Sequence, residues 1–411
     1  MIGDEDILAP LRVLMSVASP HGEERALAEA VIAWGRRAIG DATWDLDPID
    51  ERSANVFARS ETAGASRELA IYGHLDTSLT GDARRDRDIT GTDAPPAAFA
   101  LRERTVRGFG VGVAKAPSAA GIAAFAAAVR ALRGAKIPHR LVLFLGATGT
   151  HRALPDAGMT PFGRGITHAL DGGWRPDAVL NVKAGPRGVL HEEPAAAYLC
   201  VTLRDRWDAA LARRAVAPDG GLARQAEAII RAVEEWRTRY LAAHPARGQL
   251  APEIAIGAIR SGSPEKPDLL PGSLELFLYA VLLPDADPQE VARDLAAFVA
   301  PVAAALPRSP RVDVDVYAYG PGGTGDEGSA IVRLATTAWR EVFGELAPVT
   351  QWSGATDGAL LLARGIPTAR MGPQVTRDPD DPRVESVSLD DLVKAARAYA
   401  DVAVRFFREA A

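Results

Sequence analysis

The chain holds a single cysteine, Cys200, so neither an intrachain disulfide nor a multi-cysteine metal site can form. Its place in the strand-like run AAYLCVTL makes it a small buried apolar residue. No block of basic residues stands out among the 24% of charged positions, and the formal net charge is -6, so the electrostatic footprint of a nucleic-acid-binding protein is missing. Nothing approaches the roughly 18 uninterrupted apolar residues of a membrane span. The N-terminal segment MIGDEDILAPLRVL is acidic where a secretory leader is basic. The expectation is a cytoplasmic protein with neither nucleic acid nor membrane as partner. Acidic residues are also unevenly spread: there is no Asp or Glu between Glu103 and Asp156, nor between Asp177 and Glu192.

What is present is an alternation of helical and strand-like patterns, in a chain whose 411 residues are 47% apolar and ample for two cores. A helix over 23–39 precedes an extended segment at 55–58 and a buried strand at 69–73, stopped by glycine. An alanine-rich helix over 119–133 leads into HRLVLFL, which reads as a strand buried on both faces. A short strand at 177–180 follows. This order implies an α/β domain with a mostly parallel sheet. From residue 194 the pattern becomes strand 197–203, helix 222–242, strands 253–259 and 273–282, helix 288–302, strand 311–319. That is the βαββαβ order of a ferredoxin-like module. A helix at 329–343, a glycine-rich turn, a strand at 367–371 and a helix at 389–407 then close the chain. The expected division is a discontinuous α/β domain, residues 1–193 and 320–411, around an inserted module of residues 194–319.

The segment YGHLDTS at 72–78 follows a buried strand and resembles the first metal motif of the zinc peptidase family that includes aminoacylases, acetylornithine deacetylase, succinyl-diaminopimelate desuccinylase and carboxypeptidase G. SVASPHGEERALAEAV, RGFGVGVAKAPSAAGIAAFAAAV and SGATDGALLLARGIPTARMGP resemble its opening helix, glycine-rich loop with following helix, and late loop. The resemblance implies a hydrolase, a homodimer made through the inserted module, and two zinc ions held by two histidines and three carboxylates, with a glutamate as general base. His74 is kept, as is Asp76, which in the family orients that histidine. The other positions depart: Val113 stands where the bridging aspartate belongs, Gly146 to His151 carry no acid pair, Asn181 to Arg187 carry no carboxylate, and Asp381 falls near the place of the last histidine. The expectation is therefore that neither a metal ligand set nor a cofactor is kept.

Several residues carry two readings. His74 with Asp76 is either a relic hydrogen-bonded pair or a catalytic acid–base pair. Lys115 and Lys183 read most simply as solvated surface lysines. The rival reading makes Lys115 a catalytic support and Lys183 a substrate contact, supplying the positive charge that zinc would supply. His151 reads as a solvent-facing turn residue or a substrate contact, and Asp357 as a helix cap or a substrate contact. In His191-Glu192-Glu193 alternate residues face opposite ways, and Asp378 to Asp381 read as a solvated loop. Three functions stand: a divergent, metal-free hydrolase of a small polar, anionic metabolite; a non-catalytic descendant that binds a ligand or partner; and a single-metal amidohydrolase using His74, Asp357 and Asp381.

Overall fold

The computed structural model describes residues 2–209, 221–344 and 347–409. Its first sheet has six strands in the order Thr43–Pro48, Ala54–Glu61, Arg140–Gly146, Glu68–His74, Ala178–Asn181, Thr368–Arg370. The last four run parallel, and the first two are added antiparallel at one edge. Alternation along the central strands explains their unbroken apolar runs. Leu69, Ile71, Leu141, Leu143 and Leu145 join the core on one face, while Ala70, Tyr72, Val142 and Phe144 join the core on the other.

The first face is covered by five helices, Asp4–Ser16, Arg25–Ala38, Ala116–Gly134, Ala330–Phe343 and Leu389–Arg408, whose buried aliphatic and aromatic residues belong to that core. Ala116–Gly134 lies between the sheet and Leu389–Arg408, which is why it is apolar on nearly every side. Among the described residues, Val111–Gly134 is the one helical stretch apolar and long enough to cross a membrane. It is 83% buried within the protein, as a core helix is. The second face carries Arg164–Asp171, Ala359–Ala363 and Trp174. This α/β class, with helices on a mostly parallel sheet, is the one expected from the sequence.

A second sheet orders Glu253–Ser261, Ser273–Leu282, Ala195–Arg204 and Arg311–Gly320, all antiparallel, with Gly221–Ala243 and Pro288–Ala304 packed on one face around a core of their own. The helix Pro288–Ala304 starts as its sequence directs: Asp287 accepts from the Gln289 amide and Pro288 fills the first turn. The two-residue strand Thr160–Pro161, from the loop after the first sheet's Arg140–Gly146, pairs with Arg311–Gly320 and ties the two sheets together.

His74, Gly146, Asn181 and Arg370 are the last residues of the four parallel strands. The loops after these carboxyl ends are where an open α/β sheet leaves room for a ligand. Unforeseen in the sequence are the helices Asp4–Ser16, Ala83–Thr90 and Arg164–Asp171, the edge strand Thr43–Pro48, and a small sheet of Ala100–Arg102, Thr105–Phe109, Val384–Ser388 and Thr376–Arg377.

Candidate functional site

Asp76, two residues past the strand end, has a fully buried side chain and is the organising acceptor of the site. It takes hydrogen bonds from the Gly149 amide (2.9 Å), the Thr150 amide (2.8 Å) and the Thr150 hydroxyl, and it meets His74 Nδ1 at 2.7 Å and His21 Nδ1 at 3.4 Å. Burial alone would raise its carboxyl, but the facing His74 and His21 and these hydrogen bonds hold it well below the usual carboxylate range. An ionised Asp76 is an acceptor for Nδ1–H of His74, and in the neutral ring with that tautomer Nε2 is the unsubstituted nitrogen of a residue lining the cleft.

Behind this pair lies Glu24, also fully buried, accepting from the Gly22 amide (2.7 Å), the Thr148 amide (3.0 Å) and Ser53. Burial, then the negative charge of Asp76, raises its carboxyl. His21 and Glu24 stand in the opening segment quoted above and were not singled out from the sequence. Their role depends on a bridge between Pro20 and Thr77 that brings residue 21 to residue 76.

The cleft beside His74 measures about 650 Å³, within the range of small-molecule pockets. Lys183 lines it with only 4% exposure. Its ammonium is paired with Asp357 and lies 4.9 Å from the Tyr72 ring centroid, while the Tyr72 hydroxyl donates to the other oxygen of Asp357. Burial and the charge of Asp357 push the Tyr72 phenol well up, so it stays a donor. Two of the simpler sequence readings are thereby corrected. Lys183 is not a solvated lysine, because its strand end is walled in by the late loop. Asp357 does not cap the following helix, because its side chain is committed to Lys183 and Tyr72; the Gly358 amide is taken by Thr356 instead.

Lys115 is also buried, yet it is absent from the described residues that line the cleft. It donates to the Val17 carbonyl at 3.2 Å, behind the wall made by Gly112, Val113 and Ala114. Burial lowers it to about 8, with Asp76 opposing. Between that value and its ordinary 10.5 the unfolded chain binds more protons than the folded one, so stability rises with pH across the interval. Lys115→Met is expected to add about 1–3 kcal/mol at pH 7 and to flatten that rise, as read by urea unfolding at stepped pH.

His151 is half-buried rather than solvent-facing. Its ring stacks on Phe162 (4.1 Å between centroids) and meets the Tyr279 hydroxyl at 3.4 Å; burial lowers it to about 4. Two further residues escaped sequence reasoning. Arg370 is 5% exposed and pairs with buried Glu193 at 3.1 Å. Glu385 accepts from the Gly112 and Val113 amides at 2.8 and 3.0 Å and so shapes the loop where the bridging acid was expected. No local motif marks them, since each is linked to a partner more than 170 residues away.

The donors present do not match the two-ion, five-ligand arrangement implied by the resemblance. Val113 offers an apolar side chain to the cleft. In the loop where two acids were expected, a β-carbon on Gly149 would meet His74 Cγ at 2.8 Å and Asp357 Oδ2 at 3.2 Å, so no side chain fits there without displacement. Asp381 pairs with Arg383 at 2.9 Å and lines a second, adjoining cavity of about 680 Å³, apart from His74 and from Asp357. Among the described residues no group of three or more His, Cys, Asp or Glu side chains is placed to hold a metal ion.

The scaffold is α/β, with a cleft at the carboxyl ends of its parallel strands and Tyr198 and Tyr279 of a second sheet in the lining. The profile of peptidase family M20/M25/M40 matches residues 70–405, and the chain belongs to that family. Solved structures agree in fold. A tripeptidase from Staphylococcus aureus is 15% identical, with 99% of this chain and 100% of that one covered and a TM-score of 0.68. Human carnosine dipeptidase 1 is 13% identical, with 98% and 96% covered and a TM-score of 0.69. A dinuclear metal binding peptidase from Bacillus subtilis is 13% identical, with 98% of each chain covered and a TM-score of 0.62.

Proposed function

We propose that this chain is a divergent hydrolase of its family that cleaves an amide or other C–N bond in a small, polar, anionic metabolite, without the two-metal centre of its relatives. The observation that carries this reading is the polarity of the cleft. Its ionisable lining among the described residues is His74, His151, Lys183, Arg370, Arg377 and two tyrosines, with no carboxylate; Asp76, Asp357 and Glu193 are buried outside that lining, and Glu385 lines the adjoining cavity. A dication needs negative ligands facing it, whereas this lining favours an anion.

His74 Nε2 takes a proton from water as the water oxygen attacks the carbonyl carbon, Asp76 holds the resulting imidazolium, and the same proton passes to the departing nitrogen as the C–N bond breaks. Lys183 holds the anionic group of the substrate from a site where little water screens it. Lys115 acts from behind the wall on Asp76, and Asp357 positions Lys183. Association of two copies through the second sheet belongs to the same proposal, supported by the exposure of most of the edge strand Glu253–Ser261, and is read by light scattering.

The test is a screen of anionic amides, esters and imides with chelator-stripped protein, product being followed by mass spectrometry. Product that persists under chelator, with less than one metal ion per chain, is the expected result. Turnover that appears only on adding zinc would return the chain to the chemistry of its relatives. A ligand that raises the melting temperature while no product forms across the panel would make it a binding descendant.

A further inference from the structure

The cleft has one cationic wall and one aromatic wall. Tyr198 and Tyr279 are a cross-strand pair on the second sheet, edge to face with centroids 5.5 Å apart. Their hydroxyls are engaged: Tyr198 donates to the His151 carbonyl at 3.3 Å and Tyr279 meets His151 Nδ1 at 3.4 Å. His151 in turn lies within 6° of parallel to Phe162. These rings form a braced platform, and Trp352, its indole N–H tied to the Gly354 carbonyl, adds another aromatic surface to the same cleft. Such surfaces reward a flat, apolar body and offer little to an aliphatic chain of small area.

On the cationic wall, valences remain open. Among the described residues Lys183 has one ion-pair partner, Asp357, for three ammonium hydrogens. Arg370 spends Nη1 on Glu193 and the Gly354 carbonyl and Nη2 on the Ala184 carbonyl, but its buried Nε has no partner. That guanidinium is thus one acceptor short, and Arg370 belongs to the cleft lining. Gly185 stands beside it: a β-carbon there would lie 3.7 Å from Nε.

We infer that the cleft takes a flat aromatic or conjugated carboxylic acid, its carboxylate between Lys183 and Arg370 at Gly185 and its ring against Tyr198, Tyr279 and His151. This inference rests on the anionic reading of the cleft and adds the shape of the ligand. A planar carboxylate suits the guanidinium edge, and the ring covers tyrosine surface that a small aliphatic acid would leave wet.

Calorimetry on the full chain, with benzoate and 1-naphthoate against succinate and N-acetylglycine, and with benzamide as the neutral match of benzoate, tests it. The aryl acids are expected to bind at least tenfold more tightly than the aliphatic acids and than benzamide. Gly185→Ala, whose added methyl meets only ordinary contacts, is expected to weaken benzoate at least tenfold with an unchanged melting temperature, and Tyr279→Leu to erase the aryl preference. Aliphatic acids binding as well as aryl acids would overturn the inference and leave the anionic reading standing. If neither class binds at millimolar concentration, the anionic reading fails and the inference with it.

Discussion

Asp76→Ala is expected to lower the unfolding free energy by about 3–5 kcal/mol, the range seen when a buried charge network loses its central partner. The side chain has no exposure, and five groups converge on it: two amides, one hydroxyl and two imidazoles. Without the carboxylate the Gly149 and Thr150 amides are stranded in a place water does not reach, at about 1–3 kcal/mol for each unsatisfied group. The effect also has a pH signature. Because the folded carboxyl is held below its unfolded value, its contribution is complete above pH ~4 and is lost as pH falls through the folded value. The gap between the native protein and Asp76→Ala is thus expected to be widest near neutrality and to narrow in acid. Urea unfolding of both proteins across that range reads it, and a constant gap would mean that Asp76 is not ionised in the fold.

His74→Ala is expected to lower turnover of an identified substrate by about 10²–10⁴-fold, the usual contribution of a positioned acid–base group. A structural role for this residue would look different. His74 is 2% exposed and its Nδ1 is bound to Asp76, so removing the ring also disturbs packing. His74→Gln separates the two roles, since its amide can still donate to Asp76 but cannot act as a base. Loss of turnover in His74→Gln with stability within about 1 kcal/mol of the native protein is the expected pairing. Retained turnover in that variant would move the base elsewhere in the cleft.

Much of the scaffold was legible because its signals are local. HRLVLFL reads as a strand buried on both faces from its composition, and Arg140–Gly146 is that strand. The helix at 389–407 reads from its period and is Leu389–Arg408. The helix Asp4–Ser16 is harder to read, because its acidic start equally marks a segment that is not a basic leader. Its acids stand in the first turn, where they favour the positive end of the helix dipole.

The site was legible in part. His74 and Asp76 are two residues apart at a strand end, so their meeting follows from chain geometry. Lys183 and Asp357 are separated by 174 positions, and nothing in either local segment selects the other. The same holds for Glu193 with Arg370 and for Glu385 with the Gly112 and Val113 amides. Lys115 shows the converse. Its loop was placed beside the cleft from sequence, but which way the ammonium turns is set by the Val17 carbonyl and the surrounding core.

The sequence by itself determined the α/β scaffold, the family resemblance and the absence of acids from the loops after the central strands, because hydrophobic period and residue identity are written along the chain. Only the tertiary structure decided that Asp76, Asp357 and Glu193 stay out of the cleft lining while Lys183 and Arg370 line it. Burial of a charge is tolerable only beside its counter-charge, and the folded sheet, not sequence proximity, supplies that neighbour.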